Sequence, residues 1–362
     1  MSQAIGSPGG PRDRAPGIPT RVGIAGFGRL ARRYYLPAFR GLAGIHVVAV
    51  ADPLHASQAA AKAKIPRATI YSDHRTLLAH EPLDALLVAS PPSTHLRIWN
   101  DASQLGLPVF MEKPLALHEE LVRLEGSAQA RSLLMVDFNR RFWPTYQRLG
   151  AFSRGGVIGR VDDIQFLLHV NVLSWCSVTR HRLSPSEGGV LYDLGSQALD
   201  LISSIVPEEP VRISAEAWSE RWASDHLRLF LHFTSGLTAQ CDLAYTRRNR
   251  ERVVIHGSAG RLRLDDPNMT IRWEPRGSRN ARLRGWCRDG MAFGYRALWR
   301  DRSMMRYSIR AAIGAFLRSV RGGEPFSPSF EDAVRVARWL EAAWRSGVEG
   351  RPVSLICASG SA

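Results

Sequence analysis

Between Arg21 and Met111 the sequence alternates strand-like and helix-like runs, and this alternation constrains the fold more than any other feature. Strands separated by helices pair in parallel, because each helix returns the chain to the same end of the sheet. RVGIA (21–25) reads as a buried strand, followed by a helical stretch to Pro37. HVVAVAD (46–52) is a second strand, with an alanine-rich helix from Ala56 to Lys64. TIY (69–71), DALLVA (84–89) and PVFM (108–111) follow, the last two separated by a helix from about Thr94 to Leu105, which Ser93 or Thr94 can cap. A helix from Leu117 to about Ala130 and a strand LLMVDF (133–138) complete the unit.

At the end of the first strand stands Gly26-Phe27-Gly28-Arg29-Leu30-Ala31. Gly26 permits a tight turn, Gly28 lets a pyrophosphate approach the backbone, and Ala31 keeps the following helix close to the sheet. That helix N-terminus offers free N–H groups and a favourable dipole to phosphates. Asp52 closes the second strand 21 residues after Ala31, where a ribose-binding acid belongs. The pattern predicts a dinucleotide cofactor. A carboxylate at Asp52 accepts hydrogen bonds from the free 2′-hydroxyl of NAD and repels a 2′-phosphate, and Pro53-Leu54-His55 supplies no arginine to offset this. NAD is therefore preferred, with NADP the alternative.

Three further strings lie where strands end, the edge at which cofactors bind in such sheets. Ser90-Pro91-Pro92-Ser93-Thr94-His95 follows the fourth strand, and His95 reads equally well as a cofactor neighbour or as a structural first-turn histidine. Glu112-Lys113-Pro114 follows the fifth, and Asp137-Phe138-Asn139-Arg140-Arg141-Phe142 ends the sixth. The lysine stands out against the composition. Of 48 basic residues only Lys62, Lys64 and Lys113 are lysine, and the net charge is +15. Where only positive charge is needed this chain uses arginine, so a retained lysine points to chemistry that requires a removable proton.

Beyond Phe142 the texture changes. A helix (143–153), a strand near Asp162–Asn171 and a helix near Gly189–Ile205 lead into VRISAEAW, HLRLFLHF, LTAQCDLAY, RVVIHG, RLRLDD and MTIRWE. These strands mostly adjoin along the chain, which predicts an antiparallel sheet. Helices at about 303–321 and 329–346 and a strand RPVSLI close the chain. The expected organisation is a flexible tail (1–20), a dinucleotide-binding domain (21–142) and an α+β domain (143–362). In the second domain Gly188-Gly189-Val190-Leu191-Tyr192-Asp193-Leu194-Gly195-Ser196-Gln197 opens a helix, and Asp193, Gln197 and Asp200 share one face that by itself reads as solvent-facing.

Composition narrows the function classes. No apolar run reaches the ~18 residues that span a bilayer, and residues 1–20 lack a signal-peptide core. Cys176, Cys241, Cys287 and Cys357 are scattered, which suggests neither a zinc site nor a disulfide framework, and a reducing cytoplasm is the default compartment. From Arg276 to Arg310 ten arginines face two aspartates, with Trp286 and Trp299 interleaved. Such a stretch can bind an anionic substrate, whereas a solvated loop in an arginine-rich chain explains it more simply than a nucleic-acid surface.

Taken together, the glycine turn, the Pro-Pro-x-x-His loop, Glu-Lys-Pro and the Gly-Gly…Asp-x-Gly-Ser helix resemble the Gfo/Idh/MocA family of glucose–fructose oxidoreductases and inositol dehydrogenases. The resemblance, from about Arg21 to Leu355, implies a Rossmann domain followed by an α+β domain with a large, open, mostly antiparallel sheet. It implies a hydride transfer between a nicotinamide and an alcohol or keto carbon of a sugar, cyclitol or derivative bound between that sheet and the nicotinamide. It also implies a homodimer or homotetramer. Lys113 matches the family lysine at the nicotinamide, followed by a Lys–Pro bond that is often cis in the family. Asp193 matches its aspartate, and Tyr192, Asn139 and Arg141 are candidate lining residues. Many members carry a histidine where this chain has Gln197, and glutamine orients a hydroxyl without taking its proton. Proton transfer then falls to Lys113. An ordinary lysine, near pKa 10.4, would need lowering by roughly three units to serve as a base at neutral pH. The alternative is a regulator that binds cofactor and sugar without turnover, which Gln197 favours.

Overall fold

The computed structural model describes residues 19–120, 133–174, 183–184, 189–265, 270–276, 301–322 and 324–355. Most of the expected tail, most of the helix 117–130 and most of the arginine-rich stretch fall outside these residues. The chain divides into two units, each threaded from three segments. Unit one comprises Met1–Ala116, Val122–Asn139 and Met305–Val334, and unit two comprises Leu117–Leu121, Arg140–Met304 and Arg335–Ala362. The sequence suggested a single cut after residue 142. The chain instead returns to unit one after residue 304, where Phe316 and Phe330 add aromatic contacts to that unit.

Unit one is a parallel sheet of β1 (Thr20–Ala25), β2 (Ile45–Ala51), β3 (Thr69–Tyr71), β4 (Ala85–Val88), β5 (Val109–Glu112) and β6 (Leu134–Asp137). The order is β3-β2-β1-β4-β5-β6. Strand order reverses between β1 and β4, and ligands of open α/β sheets bind in the crevice beyond the carboxyl ends at such a point. The central strands are apolar on both faces: Ile24, Val50, Leu86, Val88, Val109 and Val136 are fully buried. Each contributes about 1.5–3 kcal/mol on leaving water. The chain after β1 enters a wide π-type turn (Ala31–Tyr35) and continues as α1 (Leu36–Arg40). Next come α2 (His55–Lys64), α3 (His74–His80) and α4 (His95–Ser103). The short helix α3 has no counterpart in the sequence reading; Asp73 caps it by accepting the Thr76 N–H at 2.9 Å. Thr94 does not cap α4 as expected, because its hydroxyl turns back to the Pro91 carbonyl at 2.7 Å.

Unit two is an eight-stranded sheet: β7 (Val161–His169), β8 (Pro210–Trp218), β9 (His226–Phe233), β10 (Thr238–Ala244), β11 (Arg250–Gly257), β12 (Gly260–Asp265), β13 (Thr270–Pro275) and β14 (Val353–Ser354). Its order is β13-β12-β11-β7-β10-β9-β8-β14. Every pairing is antiparallel except β7 with β10, which is parallel. Inward side chains alternate along the strands, with Ile164, Phe166 and Leu168 on β7 and Leu227, Leu229 and Leu231 on β9. Helices α5 (Pro144–Arg154) and α6 (Ser196–Ile205) belong to this unit.

Two long helices follow, α7 (Asp301–Val320) and α8 (Phe330–Glu349). Within unit one, Phe316 of α7 packs on Phe110 of β5 at 5.4 Å, and Phe330 at the start of α8 stacks on Trp99 of α4 at 5.5 Å. Arg310 donates to the Gly41 carbonyl, and Arg321 donates to Thr20 Oγ1 at 3.2 Å and the Gly44 carbonyl at 3.0 Å. None of the helices is long and apolar enough to cross a membrane among the described residues.

Candidate functional site

At the carboxyl end of β1, Gly26 adopts φ +91°, a conformation that L side chains rarely accept. A Cβ there would lie 2.7 Å from the backbone of Ala89 and Ser90, so the turn presses directly against the loop after β4. Gly28 differs: a Cβ would meet nothing within 4 Å. The backbone at Gly28 thus borders open space beside the N-terminal turn of a helix, the cradle a pyrophosphate requires. Ala31 is fully buried, as close helix–sheet packing demands.

Asp52, only 6% exposed, ties this turn to the second strand. Its Oδ2 accepts the Phe27 N–H at 2.7 Å and its Oδ1 accepts the Leu54 N–H at 2.9 Å. Each oxygen keeps a second lone pair for a ribose hydroxyl. Phe27 itself is completely buried, and its N–H is taken up by Asp52. Arg29 and Leu30 occupy the first positions after the glycines, half-buried.

The loops after β4 and β5 are joined by His95. Its ring is fully buried, with Nδ1 2.7 Å from the Pro114 carbonyl and Nε2 3.0 Å from the Ser90 carbonyl. Burial holds its pKa below the ordinary histidine range, against the pull of the two carbonyls. Of the two readings open for His95, its place in the interior is that of a clamp between loops. Within the first loop, Ser90 Oγ lies 2.6 Å from Thr94 Oγ1, Pro92 is buried and Pro91 is exposed.

After β5, the Lys113 N–H donates to Glu112 Oε2 at 2.6 Å, and the Lys113–Pro114 bond is cis. Glu112 is the register partner of Asp137 on β6. Asp137 is completely buried and accepts a hydrogen bond from the Tyr35 hydroxyl at 2.6 Å. Its other oxygen, Oδ1, is buried without a hydrogen-bond partner. Burial, then the charge of Glu112, push the Asp137 pKa well above the carboxylate range, while Tyr35, Lys113 and Asn139 pull the other way. Burial and the same two carboxyl groups raise Tyr35, which stays a neutral donor. Sequence reasoning missed this cluster. Asp137 stood in a quoted string, but nothing local pairs it with a tyrosine 102 residues away.

In unit two, Asp193 lies in a second wide π-type turn (Leu191–Gly195) that leads into α6. Such turns are rare and frequent at functional sites. The Tyr245 hydroxyl donates to Asp193 Oδ2 at 2.9 Å and lies 3.1 Å from the Gly189 carbonyl. Gln197, one turn on, is half-buried. Two candidates are committed elsewhere. Tyr192 is 2% exposed and its hydroxyl accepts the His118 N–H at 3.0 Å. Arg141 grips Asp200, with Nε 3.0 Å from both carboxylate oxygens and a terminal nitrogen 2.8 Å from Oδ1. Asp200 is completely buried, so the helix face read as solvent-facing is interior, and Arg141 anchors α6. Asn139 is nearly buried, in unit one. Among the described residues no group of three or more His, Cys, Asp or Glu side chains could hold a metal.

The sequence profile of the oxidoreductase family with an NAD-binding Rossmann fold, GFO/IDH/MocA, matches residues 20–138. The profile of the GFO/IDH/MocA C-terminal domain matches residues 146–263. An inositol 2-dehydrogenase of Rhizobium meliloti (strain 1021) is 27% identical over 359 residues, covering 92% of this chain and 99% of the relative. A D-apiose dehydrogenase of Paraburkholderia graminis is 27% identical over 345 residues, covering 89% and 86%. Among solved structures, a myo-inositol dehydrogenase from Corynebacterium glutamicum superposes with a TM-score of 0.75 at 22% identity, covering 94% of this chain and 100% of that one. The WlbA dehydrogenase from Bordetella pertussis, in complex with NADH and UDP-GlcNAcA, gives 0.79 at 19% identity, covering 95% and 100%. This chain belongs to the Gfo/Idh/MocA family of NAD-binding oxidoreductases.

Proposed function

We propose that the protein is a nicotinamide-dependent dehydrogenase or ketoreductase acting on a CH–OH or keto carbon of a sugar, cyclitol or sugar derivative. The observation that carries this is the position of Lys113. One of three lysines in the chain, it follows β5 on the carboxyl edge that also bears the glycine turn and Asp52. The bound nicotinamide supplies the hydride acceptor or donor. The residues present fit such a cofactor: Gly28 leaves its backbone approachable, Phe27 and Leu54 hold the Asp52 carboxylate, and that carboxylate favours NAD over NADP.

Lys113 gives a proton to the carbonyl oxygen in reduction and takes it from the hydroxyl in oxidation. Asp193, held by Tyr245, and Gln197 serve as hydrogen-bonding residues for the substrate hydroxyls. Gln197 orients without titrating, so the proton chemistry rests on the lysine.

The test is consumption of NADH with a panel of keto-sugars and inosose-type ketones, and reduction of NAD+ with the matching alcohols. Lys113→Ala abolishes turnover and leaves NADH binding within a few-fold. Lys113→Arg is nearly as damaging, since arginine keeps its charge and yields no proton. Gln197→His preserves or raises turnover and moves the pH optimum toward the histidine range. A fully active Lys113→Arg refutes the assignment. Gln197 also supports a second reading, a non-catalytic sensor on the same scaffold; tight NADH binding with no turnover on the whole panel decides for it.

A further inference from the structure

The buried group at the end of β6 has a chemical role that the sequence motifs do not assign. Asp137 offers no surface to solvent; the Tyr35 hydroxyl donates to it, and the Asn139 side chain is a second donor beside it. Its Oδ1 is enclosed and makes no hydrogen bond of good geometry. An ionised carboxylate enclosed in this way has lost its hydration at one oxygen and gained nothing there, a larger penalty than for a neutral group. Its cross-strand neighbour, Glu112, is a second carboxyl group. Two carboxyl groups sharing a site do not both ionise readily.

The groups that act on Asp137 are Tyr35 from the turn before α1, Glu112 and Lys113 from the end of β5, and Asn139 just beyond β6. Only Lys113 among them is a cation, and its charge acts on Asp137 in the opposite sense to Glu112.

We propose that Asp137 is a positioning residue for Lys113, a sealed carboxyl group that keeps its proton at neutral pH and so withholds one negative charge from the lysine. With Asp137 neutral, its charge does not add to that of Glu112. When Lys113 hands its proton to a substrate oxygen, one fewer carboxylate opposes the loss of the positive charge. With Asp137 ionised, two carboxylates would hold the ammonium in its charged form and oppose that transfer. The proposal rests on the reading of Lys113 as the proton carrier, but its physical core is the coupling between Asp137 and Lys113, which is measurable without any substrate.

The experiment uses the full chain with carboxyl-13C-labelled aspartate, followed by carbon NMR and infrared spectroscopy from pH 5 to 9, which are assay conditions chosen from the ordinary range of carboxyl and histidine titrations. The chain should show one protonated aspartic acid signal at neutral pH, missing in Asp137→Asn. Tyr35→Phe, which removes the donated bond and keeps the ring, should move the same titration to higher pH and so identify the signal if the Asn variant folds poorly. Lys113→Met removes the cation and should move it upward by about one to three pH units. Absence of a protonated aspartic acid at neutral pH overturns the proposal, and so does a titration unmoved by Lys113→Met. The outcomes separate it from the proposed function. An Asp137 titration that shifts while Lys113→Arg remains active leaves the coupling intact and removes the catalytic reading. Lost turnover with an unmoved titration does the reverse.

Discussion

Two glycines two residues apart do different work, and a pair of alanine substitutions separates their roles. At Gly26, alanine must take φ +91° and place its Cβ 2.7 Å from the backbone of Ala89 and Ser90. Left-handed backbone costs an L residue about 1–2 kcal/mol. Forcing a methyl group into packed atoms costs about 1–3 kcal/mol more, and here the opposing atoms are main chain and cannot rotate away. Gly26→Ala should therefore lower stability by about 2–5 kcal/mol, a large share of an ordinary domain's 5–15 kcal/mol. At Gly28 the added Cβ meets nothing within 4 Å and φ is ordinary. Gly28→Ala should leave stability unchanged or raise it by about 0.4–1 kcal/mol, through the unfolded chain alone. Its methyl group occupies the space proposed for pyrophosphate, so NADH affinity should fall at least about tenfold, which is 1.4 kcal/mol. Urea unfolding followed by tryptophan fluorescence and NADH titration by nicotinamide fluorescence read the two quantities. Unchanged NADH binding in Gly28→Ala refutes the pyrophosphate assignment, and a Gly26→Ala protein as stable as the parent refutes the account of the turn.

Two further outcomes follow from the same geometry. NADH should bind at least about tenfold more tightly than NADPH, since a 2′-phosphate would face the Asp52 carboxylate; fluorescence titration with each reduced cofactor measures this, and tighter NADPH binding would contradict it. Arg141→Met should cost about 3–5 kcal/mol in urea unfolding by removing the guanidinium that grips the buried Asp200 carboxylate, and adding Asp200→Leu should recover most of the loss.

The parallel sheet was legible in the sequence because its signal is local. Buried strands such as RVGIA and DALLVA are continuous apolar runs, and Gly26 and Asp52 sit at the ends of two of them. The structure's least local features were the least visible. The parallel pairing of β7 with β10 joins strands separated by α6, β8 and β9, so neither one's alternation reveals its neighbour. Helix α3 is too short, and too polar at His74-Arg75-Thr76, for a periodic pattern to emerge. Asp200 was misread because its helix is buried nearly all round, and an interior carboxylate is recognisable only once Arg141 is seen to hold it. At the site, Lys113 announced itself by composition. Tyr35 and Asp137 did not, since each is an ordinary residue type until the fold brings the hydroxyl to the carboxyl group.

The discontinuity of unit one has a consequence for how the protein is made. Its sheet is encoded by residue 137, yet Phe316, Phe330, Arg310 and Arg321 come from beyond residue 304. A ribosome adding roughly 5–20 residues per second needs roughly 10–30 seconds to cross the intervening stretch from Arg140 to Met304. Throughout that interval Phe110 lacks Phe316 and Trp99 lacks Phe330, so the nascent nucleotide-binding sheet presents apolar surface to the cell. A chaperone that captures aromatic surface has its window here. The chain's late segments thus act as a completion check: a polypeptide cut short between β6 and α7 carries every residue of the glycine turn and still lacks part of the core beneath it.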